Sequence, residues 1–356
     1  MPTATDAVAR TSHGHRPREA TTQPPPRVRR WLGLALAVLA LCLSIVLSVA
    51  VGSAFLPVDV VLRAFTDPDG SVAQVTVSVA RVDRTILGLL VGAALGGAGA
   101  LIQGLTRNPL ADPGILGVNA GAGFAVALAV AFLGVTRISQ YLSFALLGAV
   151  AAAVVVYAIA GGGRNSPTPL RLTLVGVAFG AVLMGMTQAL ALIDTETFDR
   201  MRFWGAGTLA DRPGGTIAVI APFVLVGLLL AVVCAHPLNQ VALGDDSARA
   251  AGVRVGLLRV GVVLAVTLLC GTATAAAGPI SFVGLMVPHA VRWFTGPDWR
   301  KVIVFSILVA PAFLLSADIL GRLLVWPSEL QVGVTTALLG APVLVVLVRR
   351  SKAKAL

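Results

Sequence analysis

Gln103-Gly-Leu-Thr-Arg107-Asn-Pro109-Leu-Ala-Asp112-Pro113-Gly-Ile-Leu-Gly117-Val-Asn-Ala-Gly-Ala122 decides how this chain is built. It is a polar turn bracketed by prolines, set between two long uncharged runs, Thr85 to Thr106 and Pro113 to Thr136. Each run can cross a hydrocarbon core of about 30 Å, which takes roughly 20 helical residues. Only Arg107 to Asp112 separate them, so the turn lies at a membrane face. Pro109 and Pro113 cannot sit inside a regular helix and also restrict the residue before each. One helix must end and another begin here, in a rigid shape.

Composition agrees. The chain has 356 residues, 57% hydrophobic and 12% charged. Its mean hydropathy of +0.90 excludes a soluble domain of this size. The net charge of +11 comes from basic residues clustered between apolar runs. That pattern fits membrane topology and anionic lipid headgroups, and it lacks the aromatic-basic interleaving that stacks nucleic-acid bases. Cys42, Cys234 and Cys270 are widely spaced in or beside apolar runs, which is neither a disulfide framework nor a metal pattern. Arginine greatly outnumbers lysine, a composition that hints at a GC-rich bacterial source.

Residues 1–30 read as a polar, disordered cytoplasmic tail containing His13, His15 and Pro24-Pro25-Pro26. Trp31 to Val58 reads as the first transmembrane helix, too long and too far from the start for a signal peptide. Further uncharged runs are Ile138 to Gly163, Leu172 to Ile193, Pro213 to Gly244, Val260 to Val291, Val302 to Ala317 and Leu330 to Val348. Val260 to Val291 would make a helix of about 48 Å, too long for one crossing. Gly278-Pro279 interrupts it. Counting it as two crossings puts 19 basic residues inside and 7 outside, against 12 and 14 for one crossing. The positive-inside rule selects two, hence ten helices with both termini inside, followed by a short cytoplasmic tail at 351–356. The second half, about Ile280 to Phe294, is a short interrupted segment of the kind that lines a pathway.

The residues that could power transport are missing. No chain of buried carboxylates offers a proton relay; Asp318 and Arg322, four apart on one helix face, are expected to pair. A P-loop needs Gly-Lys-Ser/Thr, and Lys301, Lys352 and Lys354 follow Arg300, Ser351 and Ala353. No metalloprotease or nucleophile-elbow signature is present. His289, after Pro288, reads as a packing residue at a helix end. An ATP-independent carrier or channel is the alternative reading of such a chain.

His236 to Arg259 reads as the longest inner connection. Within it, Asp245-Asp-Ser247-Ala-Arg249-Ala-Ala251-Gly252-Val253-Arg254 starts acidic and reaches a glycine stop, as a short helix does. Composition leaves two readings open: a solvated connector, or a docking helix for a cytoplasmic partner.

From about Trp31 to Arg350 the chain resembles the FecCD-type permease subunits of binding-protein-dependent ABC importers for ferric siderophores, haem and cobalamin. The resemblance rests on Arg81-x-x-Arg84 and on Gln103 with Arg107-Asn108-Pro109-Leu-Ala-Asp112-Pro113, Leu116-Gly117 and Gly121-Ala122. It also rests on Trp204-Gly-x-Gly207 and Leu209, and on Gly278-Pro279-Ile-x-Phe-Val-Gly-Leu-x-x-Pro288-His289-x-x-Arg292. Ala317-Asp318, Arg322, Glu329-Leu330 and Gly340-Ala-Pro342 complete it. Two positions depart from the pattern: Asp83 and Gln331 each stand where the family usually has proline.

The resemblance implies an all-α integral membrane protein of type II ABC importer permease architecture, with ten helices over residues 31–350 and a coupling region at about 237–259. It implies a second permease subunit, identical or paralogous, two cytoplasmic ABC ATPase subunits carrying ATP and Mg, and an extracytoplasmic binding protein, in the bacterial cell membrane. No cofactor or metal is expected on this chain. Arg81, Arg84 and Arg322 are expected to dock the binding protein. Asp245, Ser247, Arg249, Ala251, Gly252, Val253 and Arg254 are expected to meet the ATPase. Gate turns are expected at Gln103, Arg107, Asn108, Pro109, Asp112, Pro113 and Pro167, and at Gly278, Pro279, Pro288, His289 and Arg292.

Overall fold

A computed structural model describes residues 27–52, 56–135, 138–162 and 168–352. Most of the expected tail, with His13 and His15, therefore lies outside the described residues, as do Pro167 and residues 353–356. Every regular element among the described residues is helical. In order they are α1 (Arg27–Ala50), α2 (Val58–Thr66), α3 (Val72–Val75), a π-helical turn (Thr76–Arg81), α4 (Val82–Thr106), a 3-10 turn (Pro113–Leu116), α5 (Val118–Leu133), α6 (Ile138–Ala160) and α7 (Pro169–Ile193). Then come α8 (Thr195–Gly205), α9 (Thr216–Ala242), α10 (Asp245–Ala250), α11 (Val255–Ala277), α12 (Val283–Thr295), α13 (Trp299–Leu324) and α14 (Val332–Lys352). Seven helical runs among the described residues are long and apolar enough to span a bilayer, and α5 and α14 contribute shorter apolar stretches. The chain is a multi-pass membrane protein.

The hub is α4. It packs against α13, α11, α9 and α12, and almost every side chain from Val91 to Leu105 is buried. Its Gly-Ala stretch makes this possible. A Cβ at Gly92 would fall 2.5 Å from the Pro311 backbone, one at Gly96 2.5 Å from the Ser306 carbonyl oxygen, and one at Gly99 1.9 Å from the Gly284 carbonyl oxygen. Small residues let helix backbones touch where lipid offers no hydrophobic drive to hold them together. By contrast α1, α7 and α9 keep most of their apolar side chains on the outside, as helices at the periphery of a membrane bundle do.

Several sequence expectations need correction. The first helix already includes Arg27 to Arg30, inside the expected tail, and ends at Ala50 rather than Val58. Just beyond it, a Cβ at Gly52 would sit 2.5 Å from an Arg81 guanidinium nitrogen. Arg81 and Arg84 do not precede the second helix: they lie within one continuous helical run from Val72 to Thr106. The connection expected over His236 to Arg259 shrinks to the stretch between Ala242 and Val255, because α9 continues through Pro237. The break at Gly278-Pro279 is present: α11 stops at Ala277 and α12 resumes at Val283, close to the expected Ile280 to Phe294.

Candidate functional site

The polar groups of the bundle gather at the two ends of α4. One end is the turn read first in the sequence. Arg107 closes α4 in the left-handed conformation at φ 54, which exposes the chain to a tight reversal. The Asn108 side-chain oxygen accepts from Leu110 N–H at 2.9 Å, and the Ala111 N–H donates to the Asn108 carbonyl at 3.1 Å. Asp112 caps the 3-10 turn by accepting from Gly114 N–H at 2.8 Å, with Pro113 in its first position. Burial holds the Asp112 carboxyl above its ordinary range; the Gly114 bond acts in the opposite direction and is the weaker influence. Gln103, fully buried one turn earlier, donates its amide to the Leu285 carbonyl at 2.9 Å, the Gly284 carbonyl at 3.3 Å and the Ala111 carbonyl at 3.4 Å. One side chain thus ties α4, its turn and α12.

The expected short helix lies beside this turn. Asp245 opens α10, and its two carboxylate oxygens accept from Arg107 and from Arg259 on α11. Asp246 pairs with Arg249 at 2.7 Å on the exposed face. The Ser247 carbonyl accepts from Ala251 N–H at 3.0 Å, Val253 N–H reaches back to the Ala248 carbonyl at 2.9 Å, and Gly252 ends the element at φ 84. The Arg254 carbonyl then starts α11 by accepting from Leu258 N–H at 3.0 Å. The motif Pro288, His289 and Arg292 sits on α12. His289 stacks edge-on against Trp293 with ring centroids 5.9 Å apart, and the Arg292 guanidinium lies 5.1 Å from the centre of the Trp299 ring. Asn239, which the sequence reading passed over, bridges α9 to the start of α13 by donating to Asp298 at 2.9 Å and accepting from Trp299 N–H at 2.8 Å.

At the opposite end of α4 the charges are packed inside. Arg81 donates to the Val49 and Ala50 carbonyls at 3.1 and 2.7 Å, and Arg322 donates to the Ser48 and Val51 carbonyls at 2.7 and 2.6 Å. The last carbonyls of α1 have no partners within their own helix, and two guanidiniums satisfy them where the helix dipole also favours cations. Asp318 pairs with Arg322, as the spacing predicts, and also with Arg84 at 2.7 Å; Arg84 in turn reaches Glu329 at 2.6 Å. Of the three arginines expected to meet a partner, Arg81 is 5% exposed and Arg322 1%, so both are committed to the chain's own interior. The group with access is the Arg84–Glu329 pair, 12% and 26% exposed. Glu329 was legible only as part of a motif, because its partner lies 245 residues away.

The Arg84–Glu329 pair forms a wall shared by two cavities of about 630 and 400 Å³ at this end of the bundle. Arg212 and Asp211 line both. Burial lowers the Arg212 guanidinium to about 10, and it donates to the Thr208 carbonyl at 3.0 Å. The broken segment reaches this region as well. Gly278, at φ 79, meets the Trp204 carbonyl, where a Cβ would fall 2.3 Å away, and Thr208 N–H donates to the Ala277 carbonyl at 2.7 Å. Pro279 and the αL residue Phe282, at φ 71, then carry the chain into α12.

Known proteins share this plan. The model of the FecCD transport family matches residues 39–350. The ferric enterobactin transport system permease protein FepD of Escherichia coli (strain K12) is 46% identical over 323 residues, covering 91% of this chain and 96% of that protein. The Fe(3+)-citrate import system permease protein YfmD of Bacillus subtilis (strain 168) is 37% identical over 306 residues, covering 86% and 91%. Among solved structures, a metal-chelate type ABC transporter in an inward-facing conformation superposes with a TM-score of 0.78 at 26% identity, covering 90% of this chain and 99% of that one.

Proposed function

This chain belongs to the FecCD transport family, and from that premise we propose that it is one permease half of an ABC importer that carries a ferric siderophore inward. The relative at 46% identity handles a ferric siderophore, which puts the cargo in that class ahead of haem or cobalamin. The observation that carries the reading is the pairing of two features on one scaffold. A short helix with an acidic start, α10, is gripped by the inner turn of the hub helix, and a broken membrane segment, α11–α12, packs against the same hub. A permease without its own ATPase needs a place to receive force and a segment able to move; α10 is the first and the interrupted segment the second.

The topology follows. Seven long runs, the shorter α5 and α14, and α12 make ten crossings, with both termini in the cytoplasm. A second permease, identical or paralogous, completes the path. Two ATPase subunits, carrying ATP and Mg, seat on α10 through Asp245 to Arg254. A binding protein loaded with the chelate meets the opposite rim near Arg84 and Glu329, with Arg81 and Arg322 holding that rim in shape from beneath. Arg107 to Pro113, with Gln103 behind it, sits near the inner gate, and the Gly278 to Arg292 segment runs toward it from the opposite end of the bundle. The test is uptake of radio-iron-labelled ferric siderophore into vesicles holding the permease, with and without its ATPase. Uptake that persists when the ATPase is omitted would refute the proposal.

A further inference from the structure

Asp245 ties α10 to two other elements at once: to Arg107 at the end of α4 and to Arg259 on α11. The two halves of this bridge differ in kind. The Arg259 side chain is 6% exposed, Asp245 28% and Arg107 42%. A buried charge is costly to separate from its counter-charge, whereas a pair at the surface is held weakly and screened by salt. The inner half therefore fastens Asp245 to α11, and the outer half is the contact that can be made and released.

What the outer half controls is stiff. Arg107 is in the left-handed conformation and is followed by Asn108-Pro109, so the backbone that carries its guanidinium has few alternative shapes. The turn is bolted in its turn to α12 by Gln103, whose amide reaches the Leu285 and Gly284 carbonyls. Helix α10 itself lies on α9 and α11. Motion of α10 thus has a polar route to the turn, through one carboxylate.

We propose that Asp245 is the positioning residue that transmits movement of α10 to the Arg107–Pro113 turn, by keeping one oxygen on Arg259 while engaging or releasing Arg107 with the other. This rests on the reading of α10 as the ATPase-receiving helix. A second state of the turn, reached when α10 is pushed, follows from having one firm and one weak contact on the same group.

The test uses the full permease–ATPase complex in lipid nanodiscs and needs no knowledge of the cargo. Leu110, 43% exposed on the turn, is changed to cysteine in a Cys42→Ser background and given a nitroxide label; Cys234 and Cys270 are buried. Label mobility is compared with and without vanadate trapping of nucleotide. A shift on trapping is expected in the otherwise native complex, and its loss in Asp245→Asn and in Arg107→Gln, with no further change when the two are combined. Co-purification of the ATPase and the amount of nucleotide trapped should stay unchanged in Arg107→Gln, which alters the turn and leaves α10 itself intact. Arg107 is exposed, so Arg107→Gln keeps the test decisive even if Asp245→Asn fails to assemble. A shift that survives in Arg107→Gln, or no shift in the native complex, would overturn the proposal. Failure of the ATPase to co-purify at all would instead count against the reading on which it rests.

Discussion

Asp318 accepts from Arg84 at 2.7 Å with its own carboxylate wholly buried, and the same carboxylate holds Arg322 from the other side. One acid thereby bridges two cations, whose other partners are the end of α1 and Glu329. In a membrane bundle such a charge is tolerated only when paired inside the protein. Replacing it leaves the buried Arg322 guanidinium without its carboxylate and Arg84 with Glu329 alone, and breaking a buried pair by removing one partner costs about 3–5 kcal/mol. Asp318→Asn should therefore lower the thermal unfolding midpoint in detergent sharply. A midpoint within error of the parent would mean that the cluster is not the clasp between α1, α4 and α13.

Helix contact through bare backbone makes a second prediction. At Gly99 an added Cβ would meet the Gly284 carbonyl oxygen at 1.9 Å, and at Gly176 the Ile115 carbonyl oxygen at 1.8 Å. Neither neighbour is a side chain that could swing away, so the helices must part. Gly99→Ala and Gly176→Ala should each destabilise by about 1–3 kcal/mol, the usual cost of overpacking a tight interior. Gly185→Ala is the control: nothing lies within 4 Å of its added methyl and its φ is ordinary, so helix propensity favours the change. Equal stability across the three variants, measured by thermal aggregation, would contradict the packing described for α4 and α7.

The Asp112 carboxyl gives a pH-dependent prediction. Burial raises its pKa in the folded chain, so the protonated form is the one the fold prefers. A group raised in this way contributes stability that is complete below its unfolded pKa and is lost as pH rises through its folded one. Above the ordinary carboxylate range that contribution is already being lost. Asp112→Asn keeps an oxygen to accept from Gly114 N–H and carries no charge, so it should be more stable than the parent at pH 7. The advantage should shrink on acidification toward the ordinary carboxylate range. Unfolding midpoints of both chains across a pH series check this, and an advantage that grows on acidification would reverse the sign.

How much of this was visible in the sequence depends on the range over which each feature is decided. The Arg107 to Gly117 turn was legible because prolines and charge sit between two uncharged runs, and both the break and the restart are local. Helix α10 was legible for the same reason, with Asp245 at its start and Gly252 at its stop. The end of α1 at Ala50 was not, because the sequence stays largely apolar beyond it, and the Arg81 guanidinium that takes its last carbonyls lies 31 residues away. Helices α2 and α8 were missed because they are short amphipathic elements outside the uncharged runs. The fate of Arg81 and Arg322 was also hidden. Two arginines near a membrane face look like an exposed basic patch until α1 is placed so that its unpaired carbonyls point at them.

Glu329 yields the last prediction, one that separates a structural rim from a docking rim. Its carboxylate occupies Arg84 and is 26% exposed, the most accessible part of the charged cluster. If an acidic side chain of the binding protein reaches Arg84, it must displace Glu329 first. Glu329→Gln removes that competitor while keeping the shape of the side chain, and Asp318 still holds the guanidinium in place. The binding protein should then associate more tightly, by about twofold to fivefold at low salt, the range of a partly exposed pair worth up to ~1 kcal/mol. The gain should fade as salt screens the contact, since charge pairs of this kind steer and orient more than they hold. Surface plasmon resonance with the nanodisc-embedded permease measures both. Weaker binding in Glu329→Gln would show that the acid itself, not Arg84, is the group the partner recognises.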